Sequence, residues 1–204
     1  MTDRQSHWEN VYATRGEREV SWFEERPTLS LELIRAAGAT PRSSVIDVGG
    51  GASRLVGALL ADGFAAVTIL DISEPALSAA KRRLGSKAAG ATWIVADITT
   101  WEPPEVYDVW HDRAVLHFLT DAADRAAYVA RLTKALRPGG HAIIGTFALD
   151  GPEQCSGLPV VRYDASNLGK LLGTEFELVQ TRSHAHQTPI GGVQRFQFSL
   201  FRRR

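Results

Sequence analysis

The chain contains 204 residues, 44% of them hydrophobic and 23% charged, which predicts one globular domain with a sizeable core and not a disordered chain. Lys and Arg together number 23, as do Asp and Glu, so the formal net charge is zero. The chain therefore lacks the excess of basic residues that is typical of proteins that bind nucleic acid or anionic lipid without sequence specificity. The single cysteine, Cys155, excludes an internal disulfide. Because no leader pattern and no apolar run of about 20 residues stand out, we expect a cytoplasmic protein that binds neither nucleic acid nor membranes.

Helix and strand patterns alternate along most of the chain. Apolar residues at helical spacing predict helices over residues 28–37, 52–62, 74–84, 124–136 and 165–172. Short apolar runs predict buried strands over residues 44–48, 66–70, 92–96, 106–110 and 141–147. Ser73 is expected to cap the helix that starts at Glu74. The stretch RPGG at residues 137–140 is expected to end the predicted helix over residues 124–136.

Two longer alternating runs, residues 176–182 and 194–201, follow with no helix between them, and they predict an antiparallel hairpin. Strands that alternate with helices indicate an α/β fold, with an open, doubly wound and mostly parallel sheet covered by helices on both faces. Ligands of such sheets bind beyond the carboxyl ends of the strands. We therefore expect the functional site in the loops that begin near Gly49, Asp71, Asp97, Asp112 and Phe147.

The loop after the first strand carries three consecutive glycines, in the sequence VIDVGGGAS at residues 45–53. Glycines let the backbone turn sharply and approach a ligand closely, and the helix that follows offers free N–H groups. A dinucleotide-binding loop needs a further glycine where this chain has Arg54. Asp47 suits a cationic ligand group better than a phosphate, which it would repel. It is also suited to bonding the amides of the glycine turn, and the two roles are compatible.

The pattern D-V-G-G-G-A-S at residues 47–53 resembles the first motif of the class I S-adenosylmethionine (SAM)-dependent methyltransferases. Three further matches follow in the family's order, at T-I-L-D-I-S, I-V-A-D-I and L-R-P-G-G-H, so the resemblance covers residues 43–147. It implies a Rossmann-like, seven-stranded fold with SAM as the cofactor and S-adenosylhomocysteine (SAH) as its product. The residues that it assigns to cofactor binding are Asp47, Gly49, Gly50, Gly51, Ser53, Asp71, Ile72, Asp97, Ile98 and Trp22.

The resemblance also assigns roles to two acids. Asp71 matches the acid that holds the ribose hydroxyls, and Ile72 matches the apolar residue against one face of the adenine. Asp97 matches the acid that receives the adenine amino group, with Ile98 beside it. Taken singly, Asp71 is equally well explained as a cap of the next helix and Asp97 as a turn residue. Their joint spacing after successive strands favours the binding roles.

The fourth strand leads into the sequence YDVWHDRAVLHFL at residues 107–119, in which alternation places Asp112 and His111 on opposite faces. Asp-Arg followed by apolar residues resembles small-molecule methyltransferases of the thiopurine and tellurite-resistance type. This resemblance implies that Asp112 and Arg113 orient the acceptor or take its proton. His117 is the candidate general base, because imidazole titrates near neutral pH. The alternative for Asp112 is structural, as a cap of the next turn or a partner of Arg113.

Aromatic residues gather in the segment that precedes the first strand. In related methyltransferases such a segment covers the cofactor, which implies that Trp22 and Phe23 shield the sulfonium, a cation that an aromatic face attracts. For Trp8 and Tyr12, ordinary packing within an amphipathic helix is the favoured interpretation. A W-E-x-x-Y segment followed by S-W-F also resembles the lysine methyltransferase branch, so a protein substrate stays open.

Metal and thiol chemistry have weaker support in the sequence. His184 and His186 form a His-x-His pair after the predicted sixth strand, but two ligands without a third are not a metal site, so no metal is predicted. Cys155 lies in the loop at residues 151–159, where neither a histidine partner nor a helix start is visible to activate it. We interpret this loop as one that shapes the substrate site.

Together these patterns predict a single methyltransferase domain over residues 1–204. Residues 1–40 form its helical lid, residues 41–150 its SAM-binding core, and residues 151–204 its substrate loop and closing hairpin. The predicted reaction is in-line transfer of the SAM methyl group to a small molecule, a thiol or related metabolite. A protein-lysine methyltransferase and a catalytically silent SAM-binding domain are the alternatives.

Overall fold

The computed structural model describes residues 3–204, and residues 1 and 2, the start of the predicted lid segment, lie outside the described residues. The helices are α1 (Asp3–Thr14), α2 (Thr28–Ala36), α3 (Leu55–Ala61), α4 (Glu74–Leu84), α5 (Ala122–Ala135) and α6 (Ala165–Leu172). The strands are β1 (Ser44–Val48), β2 (Ala66–Asp71), β3 (Ala91–Val95), β4 (Tyr107–Arg113), β5 (Leu136–Phe147), β6 (Gln154–Cys155), β7 (Leu158–Pro159), β8 (Phe176–Gln187) and β9 (Val193–Arg203). Short 3₁₀ helices at Gly85–Gly90 and Leu116–Phe118 complete the connections.

Seven strands form one sheet in the order β3-β2-β1-β4-β5-β9-β8. The strands β1 to β5 pair in parallel, and β9 pairs antiparallel with both β5 and β8. A separate two-stranded ribbon, β6 and β7, lies in the connection after β5. This arrangement confirms the predicted α/β fold, with its mostly parallel, Rossmann-like sheet and its C-terminal antiparallel hairpin.

Alternation along the strands gives the sheet two apolar faces, each covered by helices. On one face Val45 of β1 and Val109 of β4 belong to a buried cluster with Leu55 of α3. On the other face Ile46 and Trp110, from the same two strands, belong to a cluster with side chains of α5 and α6. A large apolar side chain buried in this way contributes about 1.5–3 kcal/mol to the free energy of unfolding. The two faces therefore hold the strand ends in fixed positions.

The fourth and eighth strands are longer than predicted. β4 continues through Arg113, so Asp112 lies inside the strand with no exposed surface. β8 runs to Gln187 and contains His184 and His186, so the placement of these histidines after the strand was wrong. The added residues of β8 are mostly polar, and the alternation of apolar residues could not reveal them.

The stretch RPGG at residues 137–140 ends the helix without a loop. α5 ends at Ala135, and β5 starts at the next residue and runs through these glycines. Gly139 has a φ of 78°, and a Cβ on Gly140 would lie 3.0 Å from the Asp108 carbonyl oxygen. The glycines therefore let the backbone pass directly from helix to strand and approach β4 closely.

The carboxyl ends of β1 to β4 meet at one edge of the sheet, because these neighbouring strands are parallel. Helix α1 contacts α4 and lies over this edge, so it is placed as a cover for whatever binds there. Within residues 3–204, no helix combines the length and the apolar character that crossing a membrane requires.

Candidate active site

A concavity lies between α1 and the carboxyl ends of β1, β2 and β4, and it measures about 810 Å³ when its opening to solvent is included. The predicted site residues that line it are Trp22, Gly49, Asp71, Ile72, Asp97, Ile98 and Arg113. A smaller adjoining pocket adds Asp47, Gly50 and Ser53. Gly51 lies beside Asp71, since a Cβ on it would be 2.9 Å from Asp71 Oδ2, whereas Asp112 and His117 line neither space.

The glycine turn after β1 has no room for side chains. A Cβ on Gly49 would lie 2.0 Å from the Val115 side chain, and a Cβ on Gly50 would lie 2.7 Å from Asp47 Oδ2. Gly49 and Gly51 also have φ values of 68° and 39°, which favour glycine. The bare backbone of this turn therefore comes within reach of a ligand.

Asp47, near the end of β1, is 2% exposed and is held by a buried network. His111 of β4 lies opposite it in the strand register, with Nδ1 2.7 Å from Asp47 Oδ1 and Nε2 2.9 Å from the Ser30 hydroxyl. The second carboxylate oxygen, Oδ2, is buried and has no hydrogen-bond partner among residues 3–204. Since a buried polar atom normally has a partner, this oxygen is suited to accept a hydrogen bond from a ligand group such as an ammonium.

Asp71 ends β2 and is also buried. Burial raises its pKa to about 7, although Oδ1 accepts a hydrogen bond from the Ser73 N–H at 2.8 Å. Ser73 caps α4 as predicted, because its hydroxyl accepts a bond from the Ala76 N–H at 3.3 Å. The Asp71 carboxylate is therefore not the helix cap, and it lines the concavity beside Gly51.

Asp97, which follows β3, makes turn contacts and also lines the concavity. Its Oδ1 accepts bonds from the Thr99 N–H and hydroxyl, at 2.9 and 2.7 Å. Its Oδ2 pairs at 3.2 Å with Arg4 of α1, which also pairs with Asp124 of α5. The apolar residues that line the concavity together with these acids are Leu70, Ile72, Ala96, Ile98 and Leu119. An apolar slot with acceptors at its rim suits a flat heteroaromatic ring.

Aromatic side chains from the N-terminal segment cover the concavity. Trp8, Tyr12 and Trp22 all line it, and the ring centroids of Trp8 and Trp22 are 5.7 Å apart. The indole N–H of Trp22 donates to the Tyr12 hydroxyl at 3.2 Å. Phe23 lies outside this concavity, with the guanidinium of Arg54 5.2 Å from its ring centroid. Of the two residues expected to shield the sulfonium, Trp22 therefore lines the concavity, and Phe23 lines the smaller adjoining pocket together with Asp47.

Sequence reasoning did not assign Arg4, Trp8 and Tyr12 to the site. They are four residues apart, so they share one face of α1, and that face is turned toward the concavity. This spacing was the available signal, and the interpretation of Trp8 and Tyr12 as ordinary packing overlooked it.

Asp112 and His117 are buried away from the concavity. Asp112 accepts hydrogen bonds from the Tyr128 hydroxyl at 2.6 Å and from the backbone N–H groups of Val115 and Leu116 at 2.8 and 3.1 Å. Burial raises its pKa to about 6. Burial lowers the pKa of His117 to about 3, so its imidazole is neutral at pH 7 and is a poor general base. These surroundings favour the structural alternative for Asp112.

Arg113 is the predicted catalytic residue that reaches the concavity. Its Nη1 donates to the Trp22 carbonyl at 2.8 Å, and its Nη2 lies 3.3 Å from Glu24 Oε1. Its guanidinium lies 5.1 Å from the ring centroid of Phe196, and its Nε has no hydrogen-bond partner among residues 3–204. Cys155 lines the same concavity, but burial raises its pKa to about 11, so it is a neutral thiol at pH 7. This side of the concavity therefore presents the Arg113 guanidinium, which is paired on its other side with the Glu24 carboxylate.

Comparison with known proteins gives a consistent picture of the core. Residues 45–140, nearly half of the chain, match the family described as a methyltransferase domain. Nodulation protein S of Rhizobium tropici is 28% identical over 122 residues, which make up 60% of this chain and 50% of that protein. The chain thus spans about half the length of the curated relatives it matches.

Solved structures extend the likeness to nearly the whole chain. A structure that describes the conversion of a disulfide bond into a thioacetal group during echinomycin biosynthesis has a TM-score of 0.77 at 21% identity, and the match covers 98% of this chain and 92% of that one. The N-methyltransferase NodS of Bradyrhizobium japonicum WM9, solved with SAH, has a TM-score of 0.75 at 19% identity, with 98% and 99% covered. The chain therefore has the Rossmann-like fold of these methyltransferase structures, and its residues 45–140 carry the sequence pattern of the methyltransferase domain.

Proposed function

We propose that this chain is a SAM-dependent methyltransferase that acts on a small molecule, a thiol or related metabolite. The observation that carries the proposal is the pair of buried acids at the glycine turn, Asp47 with a free Oδ2 and Asp71 facing the concavity. The match of residues 45–140 to the methyltransferase domain supports it. In this proposal residues 1–40 act as the lid, 41–150 as the SAM-binding core, and 151–204 as the substrate loop and hairpin.

The donors and acceptors at the site fit SAM. The free oxygen of Asp47 is suited to the amino group of the methionine part, and the Asp71 carboxylate to the two hydroxyls of the ribose. The apolar slot that includes Ile72 suits the adenine, with Asp97 as the acceptor for its amino group. Trp22 offers an aromatic face to the sulfonium. When bound, SAM supplies an electrophilic methyl group on a positively charged sulfur.

The acceptor side favours a nucleophile that needs no general base from the protein. Arg113 places a positive charge at the concavity, and a nearby cation lowers the pKa of a bound thiol and stabilises its thiolate. The thiol proton passes to solvent, and the thiolate sulfur then receives the methyl group in line. Trp8 and Tyr12 exclude water from this step.

Two alternatives have less support. A lysine side chain of a folded protein would have to pass α1, whose aromatic side chains line the concavity. A silent SAM-binding domain would need the same acids, Asp47 and Asp71, and in it Arg113 would only hold the N-terminal segment through Trp22 and Glu24, with no use for its unpaired Nε.

The test uses SAM with a radiolabelled methyl group, incubated with the purified protein and either a panel of small thiols and amines or a host lysate. Label in a small or volatile thioether supports the proposal. Label on a protein band contradicts it and favours the lysine alternative. SAH binding by calorimetry without transfer to any acceptor favours the silent domain.

The role of Arg113 has its own prediction. Arg113→Gln removes the charge that stabilises the thiolate, so we expect about a tenfold loss of kcat at pH 7 and a pH–rate profile displaced to higher pH. Arg113→Lys keeps the charge and is the matched control, with a smaller loss. The Kd for SAH is measured for both variants to verify the cofactor site. Unchanged turnover in Arg113→Gln would show that this residue does not activate the acceptor.

A further inference from the structure

Three potential metal ligands meet on the outer side of Arg113. Glu24 lies in the segment between α1 and α2, and His184 and His186 lie two positions apart on β8, so their side chains share one face of that strand. This group, which we call the Glu–His–His cluster, is formed by segments that are far apart in the sequence. The sequence offered the two histidines alone, and the third ligand comes from the tertiary structure.

Two of the three distances in the Glu–His–His cluster are close to those between ligands of one zinc ion. Glu24 Oε1 lies 3.4 Å from His184 Nε2 and 3.5 Å from His186 Nδ1, and the three ligand atoms all lie within 4.8 Å of one another. Ligand atoms about 2.0–2.2 Å from a tetrahedral zinc ion are separated by roughly 3.3–3.5 Å. The ligand nitrogens of His184 and His186 are at most 4.8 Å apart, a distance that binding of the ion would shorten.

The orientation of His186 points to a cation in the cluster. Its Nε2 lies 2.7 Å from the Ser21 carbonyl oxygen, and because a carbonyl only accepts, this nitrogen carries the hydrogen. In the neutral ring the lone pair is then on Nδ1, which faces the Glu24 carboxylate. Either a proton on Nδ1 or a bound cation can join this nitrogen to the carboxylate, and the nearby His184 Nε2 supplies the further ligand that a cation would use. A ring N–H bonded to a backbone carbonyl is also the arrangement that orients metal-bound histidines.

The burial of the cluster suits a partly shielded ion with access from solvent. The side chain of His186 is 3% exposed, that of Glu24 18% and that of His184 32%. All three line a shallow groove on the surface, together with Arg18 and Gln187. The groove leaves a fourth coordination position for water or a small ligand.

We propose that Glu24, His184 and His186 bind a divalent zinc ion, with water as the fourth ligand. Two nitrogens and one carboxylate oxygen are a ligand set that zinc prefers over magnesium or calcium, which favour oxygen. Glu24 also pairs with Arg113, so the ion and the guanidinium share one carboxylate. The site therefore connects the outer groove to the wall of the concavity, and it ties the segment before α2 to the closing hairpin.

The test measures Zn²⁺ binding to the full chain after metal removal with a chelator. Titration against a chromogenic chelator at pH 7.5 is expected to show one Zn²⁺ per chain, and His184→Ala and Glu24→Gln are each expected to weaken binding at least about tenfold. His141→Ala changes a histidine of β5, outside the cluster, and is the matched control with wild-type affinity. Cys155→Ser, which removes the one thiol, is also expected to keep it.

Two further readouts separate a metal site from a structural role of the same residues. Zn²⁺ is expected to raise the melting temperature of the wild type and not that of His184→Ala, and Co²⁺ is expected to give the intense visible bands of a tetrahedral site. Unchanged SAH binding by His184→Ala verifies that this variant is folded. Equal Zn²⁺ affinity in the wild type and His184→Ala, or loss of binding in Cys155→Ser, would overturn the proposal.

Discussion

At the scale of single residues, Asp71 shows how burial sets the chemistry of a carboxylate. Burial raises its pKa to about 7. The ionised carboxylate is the form that best accepts hydrogen bonds from the ribose hydroxyls. About nine tenths of the group is ionised at pH 8 and about one tenth at pH 6. We therefore expect the Kd for SAH to be about tenfold weaker at pH 6 than at pH 8, measured by isothermal titration calorimetry.

A fall in pH, which weakens the binding of SAH, is expected to increase the stability of the free protein. The folded-state pKa of Asp71 lies above the ordinary value of 3.8, so the fold gains stability from this group as the pH falls through 7. Weaker SAH binding at pH 6 is therefore not a sign of unfolding. Asp71→Asn is expected to bind SAH weakly with little dependence on pH, and a pH dependence equal to that of the wild type would refute the assignment.

Asp112 is expected to stabilise the folded protein and to take no direct part in the reaction. Its carboxylate accepts hydrogen bonds from the Tyr128 hydroxyl and two backbone N–H groups, and the amide nitrogen of Asp112→Asn would face one of these donors. The cost of a buried unsatisfied group is about 1–3 kcal/mol, which we expect to see as a lower midpoint in urea unfolding. Tyr128→Phe removes one donor to Asp112 and also leaves the buried indole N–H of Trp110 without its acceptor, so it should lower the midpoint by a similar amount. If Asp112→Asn keeps wild-type stability and loses turnover alone, a catalytic role is favoured instead.

At the scale of elements, α1 is attached over the concavity by ion pairs as well as by aromatic contacts. Arg4 pairs with Asp97 and Asp124 and has a side chain that is 29% exposed. Partly exposed ion pairs contribute up to about 1 kcal/mol each. Arg4→Gln is therefore expected to raise amide hydrogen exchange in α1 severalfold, measured by mass spectrometry, while Arg42→Gln at an exposed position leaves it unchanged. Equal exchange in both variants would mean that the aromatic contacts alone hold α1.

The pairing of β5 with the closing hairpin requires a glycine. A Cβ on Gly145 would lie 2.6 Å from the Phe198 ring, and this ring is 1% exposed and cannot swing away. Gly145→Ala is expected to destabilise the protein by about 1–3 kcal/mol, measured by denaturant unfolding. Gly169→Ala in α6 is the control, because its Cβ would meet Phe201 at an ordinary 3.8 Å and alanine favours the helix. A Gly145→Ala protein as stable as the wild type would contradict the close β5–β9 contact.

At the scale of the whole molecule, the proposed cofactor would contact three parts of the chain that together line the concavity. These are the carboxyl ends of the strands, helix α1, and the closing hairpin through Gln194 and Phe196. A ligand that binds only the folded state adds about 2.7 kcal/mol at a concentration of 100 times its Kd. SAH is therefore expected to raise the melting temperature in a concentration-dependent manner, whereas NAD is expected to leave it unchanged. A rise with NAD and none with SAH would contradict the proposed function.

Local patterns in the sequence were enough to predict the main helices and strands, the glycine turn and the acids at the strand ends, although not the short β6–β7 ribbon. These follow from local rules: apolar periodicity, capping by Ser73, and the backbone freedom of Gly49 and Gly51. The sequence also predicted that Asp47, Asp71 and Asp97 lie close together, at what the structure shows to be the concavity and its adjoining pocket, because parallel strands bring their carboxyl ends together.

Only the tertiary structure decided which side chains are free to act. Asp112 and Arg113 are adjacent in the sequence. The carboxylate of Asp112 is nevertheless occupied by three hydrogen-bond donors, whereas the side chain of Arg113 lines the concavity. Contacts between segments far apart in the chain decided the rest, as with Arg4 on Asp97 and Glu24 between His184 and His186. Such contacts depend on how strands and helices pack in space, and no local pattern in a single sequence records that packing.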